Sequence, residues 1–207
     1  MKQEFESIPK FGFGCMRLPL LDPEDQTSID IEQFKQMVDT FIDAGGTYFD
    51  TARVYHQGES ERAVKEALVD RYPRNAYTVA TKCLAWAIDS EEEAKGNLAT
   101  SLEQLGLDYI DFYLLHALSK ARFDKVLEQG LYDLCRKKQQ EGKIRYIGFS
   151  YHDPAERFPA IVDRYPWDFA QIQYNYIDPH LLGADQLYQT LESRGIPCVV
   201  MEPVRGG

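Results

Sequence analysis

Short apolar stretches alternate with longer amphipathic stretches along nearly the whole chain. Seven apolar runs predict β-strands, at residues 11–16, 47–50, 77–81, 109–115, 145–149, 169–173 and 197–201. Between them, apolar residues recur every three or four positions, which predicts helices at residues 31–44, 60–72, 90–105, 122–141 and 184–194, with a short helix after Pro154. Alternating strands and helices, with strands that are apolar throughout, predict an α/β fold in which helices cover a parallel sheet.

Four successive strands of this pattern end in a polar residue. Asp50, Lys82, His116 and Ser150 are separated by 32, 34 and 34 residues, the length of one strand, one helix and two loops. In a (β/α)8 TIM barrel the carboxyl ends of the strands form one rim, where such residues would converge. An open doubly wound sheet would spread them along an edge, and no G-x-G-x-x-G motif marks a first turn. The spacing therefore favours the barrel.

The pattern contains seven strands, whereas a closed barrel has eight and about 250 residues. We expect residues 1–207 to form a single, incomplete barrel domain, truncated after the seventh strand. Either the chain is a fragment, or its barrel is open along one seam. Such a barrel would expose an apolar seam and two strand edges.

Composition excludes several classes of function. The net charge of −10 argues against nucleic-acid binding, although it leaves room for a small phosphorylated ligand. The four cysteines form no C-x-x-C pair and give no local signature of a metal or iron–sulfur site. No apolar run reaches 18 residues, and the N-terminus lacks the apolar core of a signal peptide. We expect no membrane partner and a cytoplasmic location.

The first candidate chemistry is an ion pair at the rim. Asp50 directly follows apolar Tyr48 and Phe49, where a lone carboxylate is costly to bury and needs a cation. Lys82 occupies the equivalent end of the next strand. The alternatives are a helix cap or surface turn for Asp50 and a solvated strand terminus for Lys82. Their equivalent positions favour a buried pair.

Tyr55 and His116 complete a possible proton-donating site. Tyr55 lies five residues past Asp50, and a nearby ammonium would lower its pKa from about 10, which makes the phenol a better acid. Otherwise it is a surface aromatic residue. His116 closes a strongly apolar strand, where it is either a core histidine or a donor to a substrate carbonyl oxygen.

Five segments then show a resemblance in order and spacing. Phe-Asp-Thr-Ala-Arg-Val-Tyr (49–55), Gly-Glu-Ser-Glu (58–61), Val-Ala-Thr-Lys (79–82), Ile-Asp-Phe-Tyr-Leu-Leu-His (110–116) and Tyr-Ile-Gly-Phe-Ser (146–150) resemble the aldo-keto reductase family. The resemblance implies a TIM-barrel carbonyl reductase that uses a nicotinamide cofactor, usually NADPH. Its catalytic tetrad would be Asp50, Tyr55, Lys82 and His116. Tyr55 would protonate the carbonyl oxygen while hydride reaches the carbon.

The same resemblance implies cofactor contacts at the strand ends. Ser150 and Gln171 would hold the nicotinamide amide, although Tyr151 stands where the family usually has Asn. Met201 aligns with a residue that often stacks on the nicotinamide as an aromatic ring. The complete expected cofactor set is Cys15, Met16, Asp50, Ser150, Gln171, Met201 and Glu202.

The two ends of the chain resemble a longer branch of that family, which carries a ferredoxin-like tail. Neither such a tail nor a cysteine cluster occurs in the 207 residues, so we expect no metal or iron–sulfur cluster. Family residues that bind the adenosine 2′-phosphate lie in the eighth unit, so the choice between NADPH and NADH stays open. Substrate and oligomeric state stay open as well.

Two alternatives to a reductase remain. One is a truncated barrel that acts as a pseudoenzyme or partner subunit and binds cofactor weakly or not at all, without turnover. A metal-dependent hydrolase would use Asp50, His116 and His152, but metal barrels generally gather more histidines and carboxylates at the rim.

Overall fold

A seven-stranded parallel sheet forms the centre of the molecule. The computed structural model of the chain describes residues 5, 7–177 and 183–204. The strands lie side by side in chain order from β1 to β7, and every neighbouring pair is parallel. Their bounds are β1 Gly12–Gly14, β2 Tyr48–Asp50, β3 Thr78–Cys83, β4 Ile110–Leu118, β5 Ile144–Tyr151, β6 Phe169–Gln173 and β7 Cys198–Met201.

The predicted fold class is confirmed. Each predicted strand is present, and the sheet curls into seven consecutive strands of the (β/α)8 arrangement. Among the residues that the structure describes, β1 pairs only with β2 and β7 pairs only with β6, and no eighth strand is found. Both outer strands therefore keep one edge without a strand neighbour in this part of the chain.

Helices follow the strands and cover one face of the sheet. They are α1 Ile31–Asp43, α2 Ser60–Val64, α3 Glu91–Leu105, α4 Lys120–Glu128, α5 Leu131–Gln140, α6 Phe158–Val162 and α7 Ala184–Ser193, and a π turn at Lys65–Val69 continues α2. Side-chain oxygens of Asp30, Ser90 and Ser119 cap α1, α3 and α4 by accepting a hydrogen bond from the first turn. None of the described helices is both long and apolar enough to cross a membrane.

One predicted helix is wrong. The stretch 122–141 forms two helices, α4 and α5, instead of one. Gly130 separates them with a φ of +60°, a left-handed conformation that glycine adopts without the steric cost of a Cβ. No other atom lies within 4 Å of where that Cβ would be, so conformation rather than crowding places glycine there.

The two faces of the sheet bury different sets of side chains. The helix-covered face forms the main core, in which Phe34 and Val38 of α1 pack with Phe49, Val79 and other strand residues. The inner face holds a smaller cluster made only of strand residues: Tyr48, Ala80, Phe112, Leu114 and Phe169. The ring of Phe5 lies 5.4 Å from Phe112 and packs against this inner cluster. Apolar side chains thus fill the inner face and leave polar groups to the rim.

Candidate active site

The polar residues of the rim are placed by the two-residue period of the strands. On β2, β3, β4 and β6, an apolar residue of the inner cluster is followed two positions later by a polar residue, and residues two apart in a strand share a face. The carboxyl ends of parallel neighbours also lie on the same rim. Four polar side chains therefore converge above the inner cluster: Asp50, Lys82, His116 and Gln171.

Asp50 and Lys82 form the ion pair expected from the sequence. Lys82 Nζ donates to Asp50 Oδ1 at 2.6 Å and to the Thr51 carbonyl at 2.8 Å. The Lys82 side chain is only 2% exposed and that of Asp50 15%. Burial alone lowers the pKa of Lys82, but the charges of Asp50 and Tyr55 outweigh it and raise the pKa above its ordinary value. Lys82 is therefore an ammonium at neutral pH.

The Tyr55 ring lies directly against this pair. Lys82 Nζ is 4.8 Å from the centre of the ring. Tyr55 begins a short 3-10 turn, Tyr55–Gly58, in which His56 and Gln57 have φ values of +51° and +53°. His56 fixes that turn, because its Nε2 accepts from the Leu18 N–H at 3.0 Å and its Nδ1 lies 3.0 Å from the Gln26 carbonyl.

The expected direction of the Tyr55 pKa is wrong. Burial raises the pKa of Tyr55 above its ordinary value, and the Lys82 ammonium offsets only part of that shift. The sequence shows the ammonium but not the degree of burial, because burial depends on the assembled rim. Tyr55 is consequently protonated at neutral pH and holds a proton to donate.

His116 stands across the rim from Tyr55. The two ring centres are 6.1 Å apart, and the centre of the Trp86 ring lies 5.1 Å from that of His116. His116 is 8% exposed, and its Nδ1 has no hydrogen-bond partner among the described residues. Burial, followed by the charges of Lys82, His152 and Arg122, lowers the pKa of His116 to about 3. The ring is therefore neutral at physiological pH and offers one N–H donor.

A distortion of β4 joins His116 to Ser150. Ala117 has a φ of +49°, and the register between β4 and β5 shifts between Leu115 and Leu118. The Ala117 N–H donates to Ser150 Oγ at 2.7 Å, and the Ala117 carbonyl accepts from Arg122 Nη1 at 2.8 Å. Left-handed backbone is costly for a residue with a Cβ and persists where the surroundings hold it. Sequence reasoning did not find this bulge or the roles of Trp86 and Arg122.

Gln171 and Ser150 fit the amide of a nicotinamide. Gln171 Nε2 donates to Asp50 Oδ2 at 3.1 Å, whereas its buried Oε1 has no partner among the described residues. Ser150 Oγ accepts from Ala117 and still has a proton to donate. An unpaired acceptor beside a free hydroxyl proton matches a primary amide, which has two N–H donors and one acceptor.

The other residues expected to contact the cofactor differ in their exposure and in their existing hydrogen bonds. Glu202 Oε1 accepts from Arg17 Nη2 at 3.0 Å, which joins the ends of the first and seventh strands. Met201 is partly buried and Met16 is half exposed. Cys15 is fully enclosed: its N–H donates to the Asp50 carbonyl and its own carbonyl accepts from Ser60 Oγ. A contact between Cys15 and a ligand stays a prediction. The backbone polar atoms of Cys15 already have partners, so they do not support it.

The metal alternative gains no support from the geometry. Within the described ranges, no three His, Cys, Asp or Glu side chains gather so that they could hold a metal ion. Asp50, one of the three residues in that hypothesis, already accepts from Lys82 and Gln171.

A separate cavity lies beside β1 and α1, away from the rim. It measures about 780 Å³ and is mostly apolar, with Phe11, Met37 and Phe41 among its lining residues. None of its lining residues is titratable, so the cavity has no acid or base for catalysis. The chemistry of the chain is concentrated at the rim instead.

Comparisons with known proteins give consistent matches. A family model described as "Aldo/keto reductase family" matches residues 10–207. L-galactose dehydrogenase from Arabidopsis thaliana is 31% identical over 172 residues, which cover 79% of this chain and 52% of that protein. NADH-specific methylglyoxal reductase from Escherichia coli (strain K12) is 30% identical over 190 residues, which cover 82% of this chain and 57% of that protein.

A solved structure agrees with these matches. The holo form of an aldo-keto reductase from Bacillus halodurans has a TM-score of 0.76 and 27% sequence identity, covering 97% of this chain and 64% of that chain. This chain therefore spans between about half and two thirds of the length of these proteins.

Proposed function

The chain belongs to the aldo-keto reductase family, and we propose that its rim reduces the carbonyl group of a small molecule with a nicotinamide cofactor. The observation that carries this proposal is the Lys82 ammonium, which contacts both the Asp50 carboxylate, at 2.6 Å, and the Tyr55 ring, at 4.8 Å. The related proteins are named for different substrates, a sugar and methylglyoxal, so no substrate is carried over from them.

Tyr55 is the general acid in this proposal. Its raised pKa keeps the phenol protonated at neutral pH, so the proton is available for the carbonyl oxygen of the substrate. When the proton leaves, a phenolate remains beside the Lys82 ammonium. That ammonium stabilises the phenolate, and Asp50 keeps Lys82 charged and in place. The ion pair of Lys82 and Asp50 therefore stabilises Tyr55 most strongly while the phenol loses its proton.

His116 positions the carbonyl. The ring is neutral, 6.1 Å from Tyr55 between ring centres, and its Nδ1 has no partner in the described part of the chain. One ring nitrogen can therefore donate a hydrogen bond to the carbonyl oxygen and polarise it. A neutral donor does this without adding another positive charge beside Lys82.

Ser150 and Gln171 would hold the nicotinamide amide, as their free hydrogen-bonding groups fit it. When bound, the cofactor supplies a hydride to the carbonyl carbon. Met16, Met201 and Glu202 would contribute further contacts. NADPH is the form that the resemblance implies, whereas one relative is named as NADH-specific. Both forms should therefore be titrated.

Replacing Tyr55 with Phe tests the proposal. Purified chain is mixed with NADPH or NADH and a reactive aldehyde, and cofactor oxidation is followed by absorbance at 340 nm. Tyr55→Phe removes only the hydroxyl, so turnover should fall by about 10²–10⁴, the usual contribution of a general acid. Cofactor affinity should stay within about threefold, since the predicted cofactor contacts are elsewhere. Wild-type turnover no higher than that of the variant would overturn the proposal.

Calorimetry separates the reductase from the non-catalytic alternative. Titration of the chain with NADPH and NADH measures binding without requiring turnover. Binding together with Tyr55-dependent oxidation supports the reductase, whereas binding without oxidation supports a cofactor-binding subunit. No binding of either cofactor argues against the reductase and is the result expected for a partner subunit that does not bind cofactor.

A further inference from the structure

The surroundings of His116 carry a local excess of positive charge. The chain as a whole has a net charge of −10. Nevertheless, the charged groups that act most on His116 are Lys82, His152 and Arg122, which are all cationic or basic. Lys82 is neutralised by Asp50 at 2.6 Å. Arg122, in contrast, forms no ion pair with a carboxylate in the described part of the chain.

Arg122 is held in place without its charge being neutralised. Its Nη1 donates to the Ala117 carbonyl at 2.8 Å, and its guanidinium carbon lies 4.3 Å from the centre of the Trp86 ring. The Trp86 backbone is itself fixed, because its carbonyl accepts from Lys125 Nζ at 3.0 Å. A guanidinium has five N–H donors in a rigid fork that matches a carboxylate. The Ala117 carbonyl is the only hydrogen-bond acceptor found for the Arg122 guanidinium in the described residues.

The distance from Arg122 to the proposed reaction site is no longer than a small substrate molecule. The Trp86 ring contacts both groups: its centre is 4.3 Å from the Arg122 guanidinium carbon and 5.1 Å from the centre of the His116 ring. From His116, the Tyr55 ring is 6.1 Å away. A carbonyl group placed between Tyr55 and His116 would therefore leave the rest of a small substrate lying along Trp86 toward Arg122.

We propose that the substrate is a carbonyl compound that carries a carboxylate, and that Arg122 binds this carboxylate while Trp86 packs against the body of the molecule. The inference rests on the proposed reductase function and names its substrate class. A fixed, uncompensated guanidinium recognises a planar anion with two parallel hydrogen bonds. Electrostatic recognition of this kind raises the affinity for anionic substrates relative to neutral ones of the same shape.

The phosphates of the cofactor are a less suitable partner for Arg122. Ser150, Gln171 and Met201, the residues proposed to hold the nicotinamide end, lie on β5, β6 and β7. Arg122 lies in the first turn of α4, which follows β4, and contacts Trp86, which follows β3. His116 lies between the two groups. The guanidinium is thus on the β3 and β4 side of the rim, and Ala117, whose N–H donates to Ser150, lies between it and the proposed nicotinamide contacts.

The test compares two aldehydes of similar shape, 4-carboxybenzaldehyde and its methyl ester. We expect the full chain, with saturating cofactor, to show a kcat/KM at least tenfold higher for the carboxylate. In Arg122→Met that value should fall by about 10–100-fold, the loss expected for a hydrogen bond between charged groups. Loss of the Ala117 contact in the same variant should affect both aldehydes alike, so the ratio of their kcat/KM values should fall to about one.

Two further variants separate substrate recognition from other roles of Arg122. Lys120→Met removes the same charge from the first turn of α4, where Lys120 pairs with Asp124, and it should keep the preference. Arg122→Lys keeps a positive charge but not the fork, and it should retain part of the preference. If Arg122 served only to hold Ala117, Arg122→Met would slow both aldehydes equally. That result, or a wild type without preference for the carboxylate, would overturn the proposal.

A binding measurement keeps the inference distinct from the proposed function. If neither aldehyde is reduced, the reductase proposal fails, and calorimetric titration with benzoate then tests Arg122 directly. Binding of benzoate to the wild type that is at least tenfold weaker in Arg122→Met would support an Arg122 carboxylate site. Equal affinities, or no binding to either protein, would overturn it.

Discussion

Protonation at the rim is decided residue by residue, by the balance between burial and neighbouring charge. Lys82 and His116 are both buried, and burial disfavours the charged form of each. Lys82 keeps its proton because Asp50 contacts it at 2.6 Å. His116 has no such carboxylate and faces the charges of Lys82, His152 and Arg122, so it remains neutral. The same rim therefore holds an ammonium and a neutral imidazole.

The neutral state of His116 predicts a specific pH dependence of stability. Its pKa is about 3 in the folded chain and about 6.5 in the unfolded chain, so between these values only the unfolded chain binds the proton. The free energy of unfolding should therefore fall as the pH falls from 6.5 toward 3. This site contributes up to about 1.4 kcal/mol per pH unit.

Urea unfolding of the wild type and His116→Gln at pH 7, 6 and 5 measures this contribution. The variant lacks the titrating ring and should show a shallower loss of stability on acidification. Groups that do not interact with His116 are the same in both proteins, so their contributions cancel in the difference. Parallel pH profiles for the two proteins would show that His116 is not buried in the neutral form.

At the scale of elements, a second charged cluster fastens three strands at the end of the sheet opposite the rim. Asp111, near the start of β4, is fully buried and accepts from the Val79 N–H of β3 at 2.9 Å. It also pairs with Arg74, which precedes β3, and with Arg145 of β5. The Arg74 guanidinium in turn lies 4.1 Å from the centre of the Tyr109 ring. This cluster is structural and distant from the proposed chemistry.

Asp111→Ala should cost about 2–4 kcal/mol of stability, because it leaves a buried N–H without an acceptor and two cations without their anion. The matched control is Arg145→Gln, whose side chain is 52% exposed and should contribute less than about 1 kcal/mol. Urea unfolding measures both values. Turnover per folded molecule should be the same in the two variants. A larger cost for Arg145→Gln than for Asp111→Ala would contradict this account.

At the scale of the whole molecule, the proposed cofactor site connects parts of the chain that are distant in sequence. Gln171 of β6 donates to Asp50 of β2, 121 residues away. Arg17 and Glu202 join the ends of the first and seventh strands, 185 residues apart. A ligand bound at this proposed site would contact elements from both halves of the sheet. Binding should therefore stabilise the fold as a unit.

Cofactor binding should raise the stability of the chain with the logarithm of the cofactor concentration. At a cofactor concentration 100 times the Kd, the gain is about 2.7 kcal/mol, because the ligand binds only the folded state. Thermal unfolding with and without NADPH or NADH measures it. Gln171→Leu, which removes the unpaired Oε1, should show a smaller gain than the wild type. No shift with either cofactor at millimolar concentration would contradict the proposed site.

Local patterns in the sequence predicted the seven strands, their parallel order and the residue types at the strand ends. Hydrophobic periodicity is a property of short segments, and the two-residue period of a strand carries over directly to its faces. The ion pair between Asp50 and Lys82 followed from the cost of burying either charge alone. The helical spacing continues across Gly130, however, and predicts one helix, because an isolated glycine is compatible with either a break or a continuous helix.

Only the tertiary structure decided how these groups behave together. The direction of the Tyr55 pKa depends on how deeply the rim buries the ring, and no local pattern contains that depth. The Ala117 bulge, the stacking of Arg122 on Trp86 and the contact between Gln171 and Asp50 all join separate elements. Such contacts form only when the sheet curls and brings successive strand ends together. Sequence thus determined which groups reach the rim, and the curled sheet determined their burial, protonation and partners.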